Sequence, residues 1–118
     1  MNARYLEDKS EYFYFVFRVL VGGMFLLHGV QKMPGIIDGS TAVWSLFGLA
    51  GIIEVVAGTF VLLGLLTQYT ALVAAVEMLV AYFMIHFPNG WSPLVNKGEA
   101  ALLYLAAFLV LMGLGGRK

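Results

Sequence analysis

Four apolar segments, each near the length of a membrane crossing and each carrying or adjoining an ionisable side chain, constrain this chain more than anything else in it. Residues 12–30 are interrupted only by Arg18 and His28. Residues 42–66 carry Glu54 near their middle. Residues 69–87 carry Glu77 and His86, and residues 100–114 follow directly on Glu99. A spanning helix needs about 20 mostly apolar residues. Strands of a membrane barrel would show runs of about 10 residues alternating in polarity, and nothing here alternates. The expected fold is an all-α membrane protein, an antiparallel four-transmembrane-helix bundle, with spans near residues 12–31, 42–66, 69–87 and 97–115 of a single domain covering residues 1–118.

Composition supports that solvent. The 118 residues are 61% hydrophobic and 12% charged, with a mean hydropathy of +0.88. A soluble domain averages about 25% charged residues, and a chain this short cannot bury so much apolar surface in its own core. The lipid bilayer is therefore the first expected partner. Seven basic residues balance seven acidic ones, so nucleic acid is not expected as a partner. No cysteine is present, which removes disulfides, thiolate nucleophiles and cysteine-ligated metals from the candidate chemistry. Residues 1–11 are polar and mixed in charge, unlike the basic start of a signal peptide. The first apolar segment therefore reads as a retained span.

The connections are short. Thr67 and Gln68 read as a tight link between the second and third spans, and such a link makes neighbours antiparallel. Residues 31–41 hold Pro34, Gly35, Gly39 and Ser40, which is turn chemistry. Pro88 disfavours a helical residue before it, so the third helix is expected to stop near Phe87. Trp91 falls where an interfacial aromatic belt would lie. With four spans both termini share a side, and Arg4, Lys9, Arg117 and Lys118 lie there against Lys32 and Lys97 on the other. The positive-inside rule then places the termini in the cytoplasm.

Depth sorts the ionisable groups. Arg18 and Glu77 are expected at similar depth and Glu54 near the midplane, where a charge must pair, protonate or meet water. Arg18 is the expected counter-ion of Glu54 or Glu77, and one of the two carboxyls could then hold a proton. The buried polar core is thus Arg18, Glu54 and Glu77, and a register-fixing ion pair explains it about as well as function does. Helical phase puts Arg18, Gly22, Phe25, Gly29 and Lys32 on one stripe and Gly51, Glu54 and Gly58 on another. Small residues let membrane helices approach closely, so these stripes are expected to face each other. His28, Lys32, His86, Trp91 and Glu99 fall near the opposite surface and form the candidate ligand or partner site. In a straight helix Glu77 and His86 point in opposite directions, which separates the two groups unless the helix deforms before Pro88. No metal site is expected, since lone interfacial histidines are more often hydrogen-bonding groups, and Glu99 at a helix start suits the helix dipole alone. No catalytic group is read from the chain.

The pattern Arg18-x9-His28-Gly29-x2-Lys32, followed by Gly51-x2-Glu54-x3-Gly58, Leu63-Gly64, then Glu77, Ala81 and His86, then Lys97-Gly98-Glu99 and Ala100-Ala101-Leu102-Leu103-Tyr104, resembles the DoxX family. The resemblance implies a four-helix bundle in the plasma (inner) membrane of a prokaryote, with a part in redox physiology. Some members resemble the small subunit of thiosulfate:quinone oxidoreductase, and others accompany enzymes of oxidative stress or quinone detoxification. Many members end in a tail resembling Gly-x-Gly-x-(Tyr/Trp)-Ser-Leu-Asp, where this chain reads Gly115-Gly116-Arg117-Lys118. The expected role is redox-associated: binding of a quinone or lipid headgroup, or service as the membrane subunit of an oxidoreductase. A quinone is the cofactor this implies, and a soluble or membrane oxidoreductase or a second copy of the chain the partner. Two other readings stay open beside it, a proton-coupled small transporter or channel and a scaffold without chemistry of its own.

Overall fold

A computed structural model describes residues 3–116. Arg117 and Lys118, half of the expected terminal positive cluster and the last two residues of the tail motif, lie outside the described residues. After a short helix α1 (Ala3–Asp8) come α2 (Ser10–Ile37), α3 (Leu46–Leu63), α4 (Thr67–Ala81), a one-turn α5 (Pro93–Asn96) and α6 (Glu99–Leu114). A π-helical turn (Tyr82–His86) and a 3-10 turn (Phe87–Asn89) continue α4. Every regular element among the described residues is a helix. Three helical stretches, Ser10–Ile37, Leu46–Leu63 and Thr67–Asn89, are long and apolar enough to cross a membrane. α6 has 16 residues, about 24 Å of helix, and is apolar but shorter than the other three. The architecture is the expected all-α four-helix membrane bundle.

The helix ends differ from the sequence expectation for identifiable reasons. α2 runs through Pro34 to Ile37 instead of turning at residues 31–41. Pro34 sits in the last turn, where only a few residues depend on the missing hydrogen bond. The Asp38 N–H then donates to Pro34 O at 3.0 Å to close the helix. α3 begins at Leu46, four residues later than expected, because Ser45 caps it: the Gly48 N–H donates to Ser45 Oγ at 3.0 Å. It ends at Gly64, whose φ of +73° only glycine adopts without cost. There the Leu65 N–H donates to Phe60 O at 2.8 Å and the Gly64 N–H to Val61 O at 3.2 Å, the paired closure of a Schellman motif. The tight link is therefore Gly64–Leu65–Leu66, and Thr67 and Gln68 already belong to α4.

Packing makes two hairpins, α2 on α3 and α4 on α6, joined by contacts of α3 with α4. The glycine stripes meet as expected. A Cβ at Gly58 would crowd the Leu26 backbone and one at Gly29 would come within 2.6 Å of Val55 N, so α2 and α3 touch backbone to backbone. The bundle end holding the α3–α4 link is filled: Val61, Ala71, Phe108 and Leu111 are fully buried. Phe25 closes the filled region, meeting Phe108 edge-on at 4.7 Å between ring centres. Toward the opposite end the hairpins part.

Candidate functional site

The two cations on the buried face of α2 take different partners. Arg18 Nη1 donates to the carbonyls of Val61 and Leu62, at 2.6 and 2.8 Å. Both lie in the last turn of α3, where carbonyls lack intrahelical donors and the helix dipole also favours a cation, and the Val61 carbonyl is shared with the Gly64 N–H. Arg18 is therefore no counter-ion to a carboxylate, contrary to the sequence expectation. Antiparallel packing sets it beside Val61, seven residues along α3 from Glu54, about 10 Å. Lys32 instead pairs with Glu54, Nζ to Oε1 at 2.5 Å, with the Glu54 side chain 5% and the Lys32 side chain 18% exposed. Gly51 makes room for it, since a Cβ there would come within 2.9 Å of Lys32 Cβ.

Glu77 also differs from expectation. Because α4 starts at Thr67, Glu77 lies as far from the α3–α4 link as Glu54 does and is level with Glu54, not with Arg18. Its carboxyl adjoins that of Glu54. Both of its oxygens are buried with no hydrogen-bond partner among the described residues. Buried polar atoms are rarely left so, and two adjoining carboxyls with one ammonium form a high-energy cluster unless a proton or a ligand completes it.

The helix deformation on which the sequence reading was conditional is present. One extra residue in a turn rotates everything after it by about 100° against α-helical phase, and the π turn at Tyr82–His86 carries His86 round to the side of Glu77. An asparagine holds this geometry. Asn96, 2% exposed, donates from Nδ2 to Tyr82 Oη at 3.1 Å and to Gly90 O at 2.8 Å. Its Oδ1 accepts from the Gly98 N–H at 2.8 Å. His86 Nδ1 meets the Asn96 carbonyl at 3.3 Å. A carbonyl can only accept, so Nδ1 carries the hydrogen in this contact.

The result is one cavity of about 870 Å³ between the two hairpins, lined by side chains of α2, α3, α4, the π turn and α6. His28, Lys32, Glu54, Glu77, His86, Lys97 and Tyr104 contribute polar groups to an otherwise apolar wall. Phe47 on α3 and Leu72, Val73 and Val76 on α4 line it while standing exposed on the bundle exterior, so it opens between α3 and α4, on a face that hydrocarbon would cover. The separation of a deep group from a surface group is therefore overturned: Glu54 and Glu77 share one cavity with His28, Lys32 and His86. Arg18, Trp91 and Glu99 do not line it. Trp91 points outward, 84% exposed, and Glu99 is exposed in the first turn of α6. Sequence reasoning missed Lys97, Tyr104 and Asn96 as parts of the site. Lys97 stands at a φ of +63°, an uncommon conformation for a side-chain-bearing residue. Tyr104 packs edge-on against His28 at 5.4 Å between ring centres.

Residues 13–87, from the first turn of α2 to the end of the π turn, match the DoxX family. The chain belongs to the DoxX family. Within it, this protein is similar to an uncharacterized protein of Haemophilus influenzae, 38% identical over 112 residues that cover 88% of this chain and 84% of the relative. It is also similar to an uncharacterized membrane protein of Mycobacterium tuberculosis, 40% identical over 73 residues covering 54% of this chain and 45% of that one. No solved structure matches. The DoxX match ends before α6, so Tyr104 and Lys97 lie beyond it while the Lys32–Glu54 pair, Glu77 and His86 lie inside.

Proposed function

We propose that this DoxX protein binds a membrane-dissolved molecule with a quinone-type headgroup, and serves redox metabolism as the membrane-embedded partner or subunit of an oxidoreductase. The observation that carries this reading is the cavity: apolar walls, a few convergent polar groups and an opening between α3 and α4 toward the lipid. Its volume of about 870 Å³ lies in the range of ligand pockets, about 300–1,000 Å³. A ring with a prenyl tail suits such a site, the tail lying along Leu72, Val73 and Val76 and the ring reaching Lys32, His28 and His86. Localisation in a prokaryotic plasma membrane with cytoplasmic termini belongs to the same proposal.

Proton-coupled transport is less well supported by the shape. The filled end, with Val61, Phe108 and Leu111 fully buried, makes the cavity a dead end instead of a path. Titrating a short-chain ubiquinone analogue into detergent-solubilised protein tests the proposal. Saturable binding is expected for the wild type, with His28→Ala weaker by about fivefold or more, the loss of one ligand hydrogen bond. Equal binding by both proteins, or none by either, rejects it.

A further inference from the structure

His86 reaches the side of Glu77 because the helix that carries it is out of α-helical phase. The two residues are nine positions apart, which in a straight helix is about half a turn, whereas eight positions would leave about 80° between them. The π turn Tyr82–His86 absorbs the extra residue and is closed by the Phe87 N–H on Tyr82 O. Such turns are rare and are found mostly at functional sites. The side-chain bonds that hold this one come from outside α4 and converge on Asn96. Its Nδ2 donates to Tyr82 Oη, at the first residue of the turn, and its backbone carbonyl meets His86 Nδ1, at the last. Its remaining side-chain bonds, to Gly90 O and from the Gly98 N–H, tie it to the loop and to the start of α6. Gly98 lets the corner close, since a Cβ there would come within 2.6 Å of the Tyr82 ring. His86 lines the cavity, whereas Asn96 and Tyr82 do not.

Resting on the reading of the cavity as a quinone-type site, we infer that Asn96 is a positioning residue of that site: without touching the ligand, it clasps both ends of the π turn and so aims His86 into the cavity. The asparagine and the extra residue of α4 are then a matched pair. A helix one residue shorter would aim His86 the same way with no clasp.

Titration of the short-chain ubiquinone analogue tests this in two comparisons. Asn96→Ala is expected to weaken binding about fivefold, as His86→Ala does, the worth of one ligand hydrogen bond. Added to His86→Ala, it is expected to cost nothing further, because it acts through that side chain. A full additional loss in the double variant, or Asn96→Ala binding as the wild type does, overturns the inference. The second comparison deletes Met84, an exposed residue of the turn that does not line the cavity, so that His86 follows Glu77 by eight positions in a straight helix. In that background Asn96→Ala is expected to bind within about twofold of the wild type. A merely structural asparagine would not be rescued by shortening the helix, and absence of rescue in the folded protein overturns its positioning role. If Asn96→Ala does not fold, Tyr82→Phe, which cuts one bond of the clasp at the turn, replaces it in both comparisons. If the deletion does not fold, the first comparison decides alone. His86→Ala binding as the wild type does overturns the inference while leaving ring binding intact. Absence of binding by the wild type removes the quinone-type site itself, and this inference with it.

Discussion

Arg18 and Lys32 stand on the same buried stripe of α2, fourteen residues apart, about 21 Å along the axis. Each is partly buried, each has an aromatic ring beneath it and each reaches across to α3, yet their surroundings differ in kind. Arg18 ends on two backbone carbonyls at a helix terminus, both met by Nη1, in the filled end of the bundle. Lys32 ends on a carboxylate at the wall of a cavity, next to the buried carboxyl of Glu77. The lesson is that a buried charge is read by what its partner leaves over. Arginine at the filled end is held by the fold alone, whereas lysine at the open end leaves polar groups facing a cavity with an entrance from the lipid.

The sharpest way to break the comparison is to remove each cation. Lys32→Met leaves Glu54 and Glu77 without a counter-charge in an apolar surrounding, and the expected loss is about 3–5 kcal/mol of stability. The double variant Lys32→Met/Glu54→Leu removes the charge as well and should regain most of that loss without regaining ligand binding. Unfolding in mixed micelles reads both. A double variant no more stable than the single would mean that the pair's packing, not its charge, is what matters.

Arg18→Met comes next. It takes a donor from each of the Val61 and Leu62 carbonyls, of which Val61 keeps the Gly64 N–H, and leaves no bare charge, so about 1–3 kcal/mol is expected, with ligand affinity unchanged. A change in affinity would show that the filled end is coupled to the cavity and that the two cations are not separate in function. Gly64→Ala should cost a little less, about 1–2 kcal/mol, from the left-handed backbone alone. A Cβ there would also come within 2.9 Å of Arg18 Nη1. The two changes therefore interact: combined with Arg18→Met, Gly64→Ala should cost less than it does in the wild type. Strict additivity in a double-mutant cycle would contradict that contact.

How far these differences could be read beforehand depends on what makes each one. The glycine stripes were legible because backbone contact between helices admits only small residues, and their spacing is fixed by the helix repeat. Gly22, Gly29, Gly51 and Gly58 therefore announced the α2–α3 interface. The partner of Arg18 was not legible, since choosing between carboxylate and carbonyl needs the register of α2 along α3, which the sequence of neither helix states. The π turn left no mark of its own: a change from one hydrogen-bond step to the next alters no side chain, and only Pro88 hinted at a disturbed helix end. Asn96 could have been noticed as an amide between Pro93 and Gly98, directly after the apolar pair Leu94–Val95. Tyr104 carried no signal beyond a polar tip on an apolar helix.

The smallest expected effects sharpen the comparison most finely, because the two cations share even their aromatic neighbour. The Arg18 guanidinium lies 5.5 Å from the centre of the Phe15 ring, and Lys32 Nζ 5.4 Å from that of Phe47. Both rings are more than half exposed, so each cation–π contact is worth about 0.5–1 kcal/mol. Phe15→Leu and Phe47→Leu should therefore destabilise by similar small amounts. Their effects on binding should part, because Phe47 lines the cavity and Phe15 does not. Phe47→Leu is expected to weaken the quinone analogue by about three- to fivefold, the worth of one ring contact, and Phe15→Leu to leave it unchanged. If the two variants bind alike, the ligand does not sit on the Lys32 side of α3, and the contrast between the two ends of α2 loses its functional half while keeping its structural one.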